Sequence, residues 1–198
     1  MSRPIAKDHD AKRSHILNVA ARVFADQGFA RASMAQVAMD CGISKANIYH
    51  YYSSKDALLF DILDTYLSEL RDRIIHINMT GATPPEQLAK IIVETLRAYE
   101  GMDHEHKIQT EGIPRLPADQ QRILKSYQRE LVTQLSDVVY AIAPKAFDGD
   151  SRKLRATVMS IFGMLNWYYM WNDPSDQQAR DDYAHLVTKL TLSGLRGL

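Results

Sequence analysis

Apolar residues recur at steps of three and four along nearly the whole chain, and no segment alternates apolar and polar residues between turn signals. The run from Leu59 to Ile74 predicts an amphipathic helix of about twenty residues. All seven prolines lie between such runs, where a helix can end without losing an internal hydrogen bond. The sequence therefore predicts an all-α fold of about nine helices. The last two are expected near residues 150–172 and 175–195, the second starting with a capping box of Ser175 and Gln178.

The composition is typical of a folded protein in a reducing compartment. With 45% hydrophobic and 24% charged residues, the chain is too apolar to be disordered. The single cysteine, Cys41, excludes a disulfide framework and a cysteine-built zinc site. The charged N-terminal region lacks the apolar stretch of a secretory signal, and the longest charge-free run, residues 156–172, is too polar to span a membrane. We therefore expect a cytoplasmic protein without membrane contact.

The charges are unevenly distributed, although the formal net charge is zero. Residues 1–60 contain eight Lys or Arg against five Asp or Glu, whereas the other 138 residues contain 16 against 19. A basic N-terminal region attached to an acidic body weakly favours a nucleic-acid partner.

Residues 33–55 predict two short helices followed by a long one. Ser33 and Gln36 form a capping box at the first start, and Gly42 suits the left-handed residue that ends that helix. Ser44 caps the second short helix and Ser54 caps the long one. Two short helices joined by a turn of about three residues cross steeply, which is the helix-turn-helix arrangement.

In this arrangement the second short helix exposes side chains able to meet phosphates and base edges: Lys45, Asn47, Tyr49 and His50. Val37, Ala38 and Ile48 are expected to fill the space between the two short helices. The pattern favours DNA binding, and the alternative is an ordinary helical corner with a polar outer face.

The same residues resemble the tetracycline-repressor-like (TetR) family of transcriptional regulators. The resemblance runs through residues 16–29, then Ser33, Val37-Ala38, Gly42-Ile43-Ser44, the stretch from Ile48 to Tyr52, and residues 54–58, Ser-Lys-Asp-Ala-Leu. Tyr52 stands where the family often has Phe. The match covers roughly residues 10–65, and the rest of the chain is similar only in size and helix count.

The resemblance implies a homodimer in which two helix-turn-helix heads bind a palindromic operator on double-stranded DNA. The last two helices would form the dimer interface, and a small-molecule effector would release the DNA, most simply from a repressor. The implied domains are a DNA-binding domain at 8–54 and an effector-binding and dimerisation domain at 55–198. The family pattern places phosphate contacts at Ser33, Tyr49 and Lys55, and a base-facing surface at Lys45, Ala46, Asn47 and His50. With the cap residue Ser44 these form the predicted DNA site.

Residues 156–172 are apolar nearly all round, which predicts a helix buried on several sides. One interpretation is that its tryptophans and methionines are core and interface residues. The other is that part of this face lines a pocket for an apolar or aromatic effector. The candidate pocket residues are Tyr127, Phe162, Asn166, Trp167, Met170 and Trp171. A buried Asn166 would need a hydrogen-bond partner in the protein or on the ligand.

The segment with Asn166, Trp167 and Trp171 also faintly resembles TetR-like regulators that sense coenzyme A thioesters, as do residues 103–106 and 116–117. This resemblance implies an acyl- or arylacyl-CoA effector. Some such members place an arginine beside the tryptophans for the CoA phosphates, where this chain has Met170. Arg152, Lys153 and Arg155 lie one or more helical turns earlier. The alternative is a regulator of an efflux or stress gene that responds to an apolar or aromatic ligand.

A metal site and an enzyme active site are less favoured. His104 and His106 are separated by one residue, so on a helix their imidazoles diverge, and with Glu105 and Glu111 they indicate a solvated helix end. No cofactor is predicted. The sequence contains no Gly-rich phosphate loop, nucleophile elbow or zinc-protease pattern. The alternatives of a different class are a helical enzyme and a helical adaptor, neither of which would bind DNA.

Overall fold

A computed structural model describes residues 3–171, 176–195 and 197. These residues form ten α-helices and no strand, so the all-α prediction is confirmed, with one helix more than the predicted number. The helices are α1 (Arg3–Gln27), α2 (Met34–Asp40), α3 (Lys45–Tyr51), α4 (Lys55–Ile75), α5 (Pro84–Ala98), α6 (Asp103–Gly112), α7 (Ala118–Ile142), α8 (Pro144–Phe147), α9 (Ser151–Asn166) and α10 (Gln177–Leu195). Two 3₁₀ turns, Ile113–Arg115 and Tyr168–Met170, follow α6 and α9.

The chain divides into two compact units. The first contains residues up to Leu67 together with His104–Leu124, and the second contains Ser68–Asp103 and the residues from Lys125 onward. Both α4 and α7 contribute to each unit. The domain boundary between residues 54 and 55 stays a prediction. Within the described residues, each helix is too short or too polar to span a bilayer.

The core of the first unit contains one face of α1 and one face of α4. On α1 the sequence places Ile16, Ala20 and Phe24 at helical spacing, and all three are buried. On α4 the fully buried residues include Leu59 and Leu63, which also lie 3.3 Å from the position that a Cβ on Gly112 would occupy. The absence of a side chain at Gly112 therefore lets the end of α6 approach α4 closely.

The core of the second unit lies between α5, α9 and α10. Leu88, Ile92 and Leu96 repeat every four residues on α5 and are fully buried. Arg180 of α10 is also buried, and its guanidinium donates to the Leu96 carbonyl at 3.1 Å and lies over the Tyr168 ring. A buried guanidinium needs such partners because removing its charge from water is costly.

The single helix predicted over residues 150–172 is wrong at its C-terminal end. Helix α9 ends at Asn166, and the chain continues in a 3₁₀ turn whose Tyr168 is buried. The hydroxyl of Tyr183 donates to the carbonyl of Met164 at 2.9 Å, and this bond satisfies a carbonyl in the last turn of α9.

The predicted cap of the last helix falls on Ser175, which lies outside the described residues. Helix α10 begins at Gln177, and the carboxylate of Asp176 accepts a hydrogen bond from the amide of Ala179 at 2.9 Å. Asp176 therefore acts as an N-cap in the described part of the chain.

Candidate nucleic-acid interface and effector-domain surface

Helices α2 and α3 form the predicted helix-turn-helix. Ser33 precedes α2, and its hydroxyl accepts from the backbone amide of Gln36 at 3.2 Å. The Gln36 side chain donates to Asp40 and not back to Ser33, so only half of the predicted capping box forms. Gly42 has φ +68°, and the amide of Ile43 donates to the Ala38 carbonyl at 3.0 Å. This pattern is a Schellman ending, which a glycine in the left-handed region favours.

The side chains between α2 and α3 hold the two helices together. Val37 and Ile48 are 0% exposed and Ala38 is 2% exposed. Their burial was predicted from their spacing. Ser44 precedes α3, and its hydroxyl accepts from the Asn47 amide at 3.1 Å. Helix α3 is therefore fixed at its start by a cap and in its middle by one buried side chain.

The outer face of α3 is exposed in its whole length. Its members are Lys45, Ala46, Asn47, Tyr49 and His50. A cationic group, an amide, a phenol and an imidazole are thereby held on one short helix that begins at the turn. The arrangement supplies donors for phosphate oxygens and an amide for base edges.

Lys55, the first residue of α4, makes contacts that differ from the predicted phosphate contact. Its ammonium donates to the carbonyls of Phe29 and Ala32 at 2.6 and 2.8 Å and lies 3.4 Å from that of Ala30. It also lies 4.5 Å from the centre of the Phe29 ring. These contacts fix the turn between α1 and α2, so the geometry favours a positioning role for Lys55.

Residues that the sequence reasoning missed surround the end of α3. Tyr52 directly follows α3, is buried, and donates its hydroxyl to Asp61 on α4. Burial and this hydrogen bond raise the pKa of Tyr52. The same carboxylate accepts from Arg13 on α1, and this bond raises the pKa of Arg13. The sequence signal for these contacts was Tyr52 itself, which stands where the family often has Phe.

Another missed contact lies between α1 and the end of α3. The imidazole of His9 stacks on the Tyr51 ring with centroids 5.2 Å apart, and His50 meets the same ring edge-on at 6.0 Å. The N-terminal part of α1 therefore lies beside the predicted base-facing surface.

Two of the predicted pocket residues have partners inside the second unit. The Tyr99 hydroxyl donates to the side-chain carbonyl of the half-buried Asn166 at 2.7 Å, so this amide has a partner inside the protein. Burial raises the pKa of Tyr99. Tyr127 is half-buried, and the guanidinium of Arg71 lies 4.9 Å from the centre of its ring. Phe162 is buried.

The other three predicted pocket residues lie at the surface of the single chain. Trp167 is 61% exposed, Met170 54% and Trp171 57%. The expectation of a helix buried on several sides is therefore wrong for one chain on its own. Trp171 packs edge-on against Tyr168 and Tyr183, whose rings are stacked 4.7 Å apart.

The predicted solvated helix end at residues 104–111 is wrong for two of its members. Glu105 and His106 are buried, and the Nδ1 of His106 lies 2.9 Å from the Tyr66 hydroxyl and 3.2 Å from the Gln109 side-chain nitrogen. Polar neighbours of this kind allow an imidazole to be buried. Among the described residues, no group of three His, Cys, Asp or Glu side chains is placed to hold a metal ion.

Comparison with known proteins agrees with this arrangement. Residues 16–62 match the model of the bacterial regulatory proteins of the tetR family, and residues 81–195 match a tetracyclin repressor-like C-terminal domain. The chain belongs to the TetR family. The TetR head model thus contains the second half of α1, α2, α3 and the start of α4, and the C-terminal model contains α5–α10.

Two curated relatives of this TetR chain are regulators of the helix-turn-helix type. It is 31% identical over 189 residues to the uncharacterized regulator YerO of Bacillus subtilis, which covers 90% of this chain and 63% of YerO. It is 33% identical over 87 residues to BetI of Rhizobium meliloti, covering 44% of this chain and 43% of BetI. The chain thus spans less than two thirds of the length of either relative.

Solved structures of TetR proteins share the fold over nearly the whole chain. A TetR-family regulator from Bordetella parapertussis has a TM-score of 0.85 at 30% identity, with 94% of this chain and 96% of that chain covered. AibR, solved in complex with isovaleryl coenzyme A and operator DNA, has a TM-score of 0.76 at 21% identity, with 90% and 97% covered.

Proposed function

We propose that this TetR protein is a ligand-responsive transcriptional repressor that binds a palindromic DNA operator through α3. The observation that supports this proposal most directly is the exposed polar face of a short helix whose opposite side is buried through Ile48. On this face Tyr49 contacts phosphates, together with Ser33 beyond the turn, while Asn47 and His50 face bases. Phosphate contacts set the register and base contacts set the sequence preference.

A homodimer supplies the two heads that a palindrome requires. The dimer interface is formed by α9 and α10. Within one chain these helices leave Met159, Trp167, Leu186 and Leu190 between 46% and 61% exposed. Met159 and Trp167 are eight residues apart on α9 and its end, and Leu186 and Leu190 are four apart on α10, so each pair shares a helix face. A second copy would remove this apolar surface from water.

The proposed effector is an acyl- or arylacyl-CoA thioester. AibR, a relative in fold, was solved with isovaleryl coenzyme A. The exposed indole of Trp171, beyond the end of α9, suits an apolar acyl chain, and the run of basic residues at the opposite end of α9 suits a phosphate-bearing nucleotide. The second candidate is an apolar or aromatic ligand without a nucleotide, which the aromatic cluster of Tyr168, Trp171 and Tyr183 favours.

Selection from a random DNA library tests the DNA-binding proposal. The purified chain should enrich a sequence of two inverted half-sites, and anisotropy titration should then show tighter binding to that sequence than to random DNA. A helical enzyme or adaptor would enrich nothing, and that result would overturn the repressor proposal.

Titration of the selected operator complex with isovaleryl-CoA, octanoyl-CoA and benzoyl-CoA tests the effector, with free CoA as the control. A thioester effector should weaken operator binding, and operator DNA should weaken thioester binding by the same factor. If no thioester acts and an apolar aromatic compound does, the effector is of the second class.

A further inference from the structure

At the end of α3, Tyr52 makes a side-chain hydrogen bond that is not needed to fill its buried space. Tyr52 is 7% exposed, and its hydroxyl lies 2.6 Å from Oδ2 of Asp61 on α4. A phenylalanine would fill the same space without making this bond. The hydroxyl therefore adds a directional contact at a site where volume alone would satisfy the core.

Asp61 connects three segments of the first unit. Its Oδ2 accepts from Tyr52 and, at 3.0 Å, from Nε of Arg13 on α1, while its Oδ1 accepts from the other side of the Arg13 guanidinium. Arg13 also donates to the Thr65 hydroxyl one turn further along α4, at 3.1 Å. We name these four residues, Arg13, Tyr52, Asp61 and Thr65, the Asp61 cluster. The two-pronged contact of guanidinium and carboxylate fixes direction as well as distance.

Apart from the stacking of His9 on Tyr51, helix α3 has few other restraints. It contains seven residues, its start is held by the Ser44 cap, and its buried side chain is Ile48. The amide of Tyr52 donates to the Ile48 carbonyl at 2.9 Å, so Tyr52 is the C-cap of the helix and ties its end to α4. Side chains on the outer face can discriminate bases only when the helix is held within about 0.5 Å of the productive position.

We propose that the Asp61 cluster is a specificity-determining support of the DNA-binding head. It fixes the angle of α3 against α1 and α4, so that Asn47 and His50 meet the same base edges in every binding event. Tyr52, Asp61 and Arg13 act through α3 and touch no DNA themselves. The inference rests on the proposed function, since it assigns a positioning role at the same DNA site.

The test uses Tyr52→Phe, which removes one hydroxyl and keeps the ring. The matched control is Tyr66→Phe, because Tyr66 is also a buried tyrosine of the first unit, and its hydroxyl lies 2.9 Å from the His106 imidazole on α6. Each variant loses a phenolic hydroxyl that makes a hydrogen bond inside the first unit, but of the two only Tyr52 is attached to α3. Both are expected to melt at similar temperatures.

Hydrogen exchange of the α3 amides provides the first readout and needs no DNA. Tyr52→Phe should speed exchange at the amides from Ile48 to Tyr52 about 3- to 10-fold, the range expected for one lost hydrogen bond. Tyr66→Phe should leave these amides at the wild-type rate. Equal exchange rates at α3 in both variants would show that the hydroxyl contributes only to overall stability and would overturn the proposal.

The second readout is the ratio of affinities for the selected operator and for random DNA. Tyr52→Phe should lower this ratio about 3- to 10-fold with an unchanged salt dependence, because no phosphate contact is lost. In an Asp61→Ala background, where Arg13 is exposed enough to be solvated, Tyr52→Phe should have no further effect on the ratio.

The outcomes separate this inference from the proposed function. If the wild-type chain selects no DNA sequence, the repressor proposal fails, while the exchange data still report on the cluster. If the wild type discriminates operator from random DNA and Tyr52→Phe keeps the same ratio, the positioning role is wrong although the regulator is not.

Discussion

Helix α3 and the α9–α10 surface both leave side chains unburied, but of opposite character. On α3 the exposed residues include Lys45, Asn47 and His50, whose polar groups are satisfied by water when no partner is bound. On α9 and α10 the exposed residues include Met159 and Leu190, whose contact with water is unfavourable. A polar face supports reversible binding controlled by salt and sequence, whereas an apolar face of this kind favours a partner that stays bound.

A charge placed on the apolar surface should have the largest effect. Leu190→Glu would bury an unpaired carboxylate in each half of a symmetric interface, and we expect the dimer dissociation constant to rise by on the order of 100-fold or more. Sedimentation at micromolar concentration should then show a single-chain species, and operator binding should weaken with it.

Lys189→Glu is the control for this change, since Lys189 is the exposed neighbour on the same helix. It should leave the association state unchanged. A wild-type chain that sediments as a monomer would contradict the assignment of the apolar surface to a second copy.

Lys45 and Lys55 should respond differently to replacement by alanine. Lys55→Ala leaves three backbone carbonyls without their donor, so the free energy of unfolding should fall by about 1–3 kcal/mol. Lys45→Ala should leave that free energy unchanged and, because Lys45 belongs to the predicted base-facing surface, lower the affinity mainly for the preferred operator.

Urea unfolding and salt-dependent anisotropy measure the two effects separately. If Lys55→Ala keeps the wild-type stability and instead lowers the salt slope, Lys55 contacts phosphate as the family pattern implies, and its contacts with Phe29 and Ala32 are replaced when DNA binds.

Asn47→Ala sharpens the contrast between phosphate and base contacts on α3. A lost base contact should cost about 1–3 kcal/mol on the preferred operator and relax the preference at one base pair of each half-site. Binding to random DNA should remain close to wild type. An unchanged ranking of operator variants would mean that Asn47 does not read bases.

The smallest effect is expected inside the second unit, at the Tyr99–Asn166 hydrogen bond. At neutral pH, Tyr99→Phe should lower the free energy of unfolding by about 1 kcal/mol, because the Asn166 carbonyl loses its donor. The pKa of Tyr99 is raised in the folded chain, so the protonated hydroxyl contributes stability below the unfolded pKa of about 10.

Above about pH 10, Tyr99 ionises in the unfolded chain but not in the folded chain. The free energy of unfolding therefore falls by about 1.4 kcal/mol per pH unit, and the contribution of the hydroxyl is lost. The difference in the free energy of unfolding between wild type and Tyr99→Phe should therefore disappear within about one pH unit above 10. Urea unfolding at pH 8 and pH 11 measures it, with the exposed Tyr140→Phe as the control. A difference that grows with pH would contradict the assigned donor.

Much of the helix-turn-helix was predictable because its determinants are local. Ser33, Gly42 and Ser44 act through hydrogen bonds and backbone angles within a few residues of themselves. The burial of Val37 and Ile48 follows from their spacing on two helices joined by a short turn. Since Ile48 sets which side of α3 is buried, the opposite side of the helix is the exposed one.

The end of α9 was not predictable in the same way. An apolar run without charges indicates burial, but it does not say whether one chain or two provide the cover. The early end of the helix depends on Tyr168 turning inward and on Tyr183, from α10, reaching the Met164 carbonyl. Tyr183 stacks on Tyr168 and bonds to Met164, and both partners are distant from it along the chain. No local pattern specifies these contacts.

The sequence by itself determined the all-α class, the helix-turn-helix and the family, because helical period, caps and turn glycines act over a few residues. Only the tertiary structure decided which partners the polar groups of Lys55, Tyr52 and His106 meet. Lys55 meets carbonyls more than twenty residues away, and Tyr52 shares Asp61 with Arg13. The energy of a polar side chain depends on which partner replaces its water, and that partner is known only when the chain has folded.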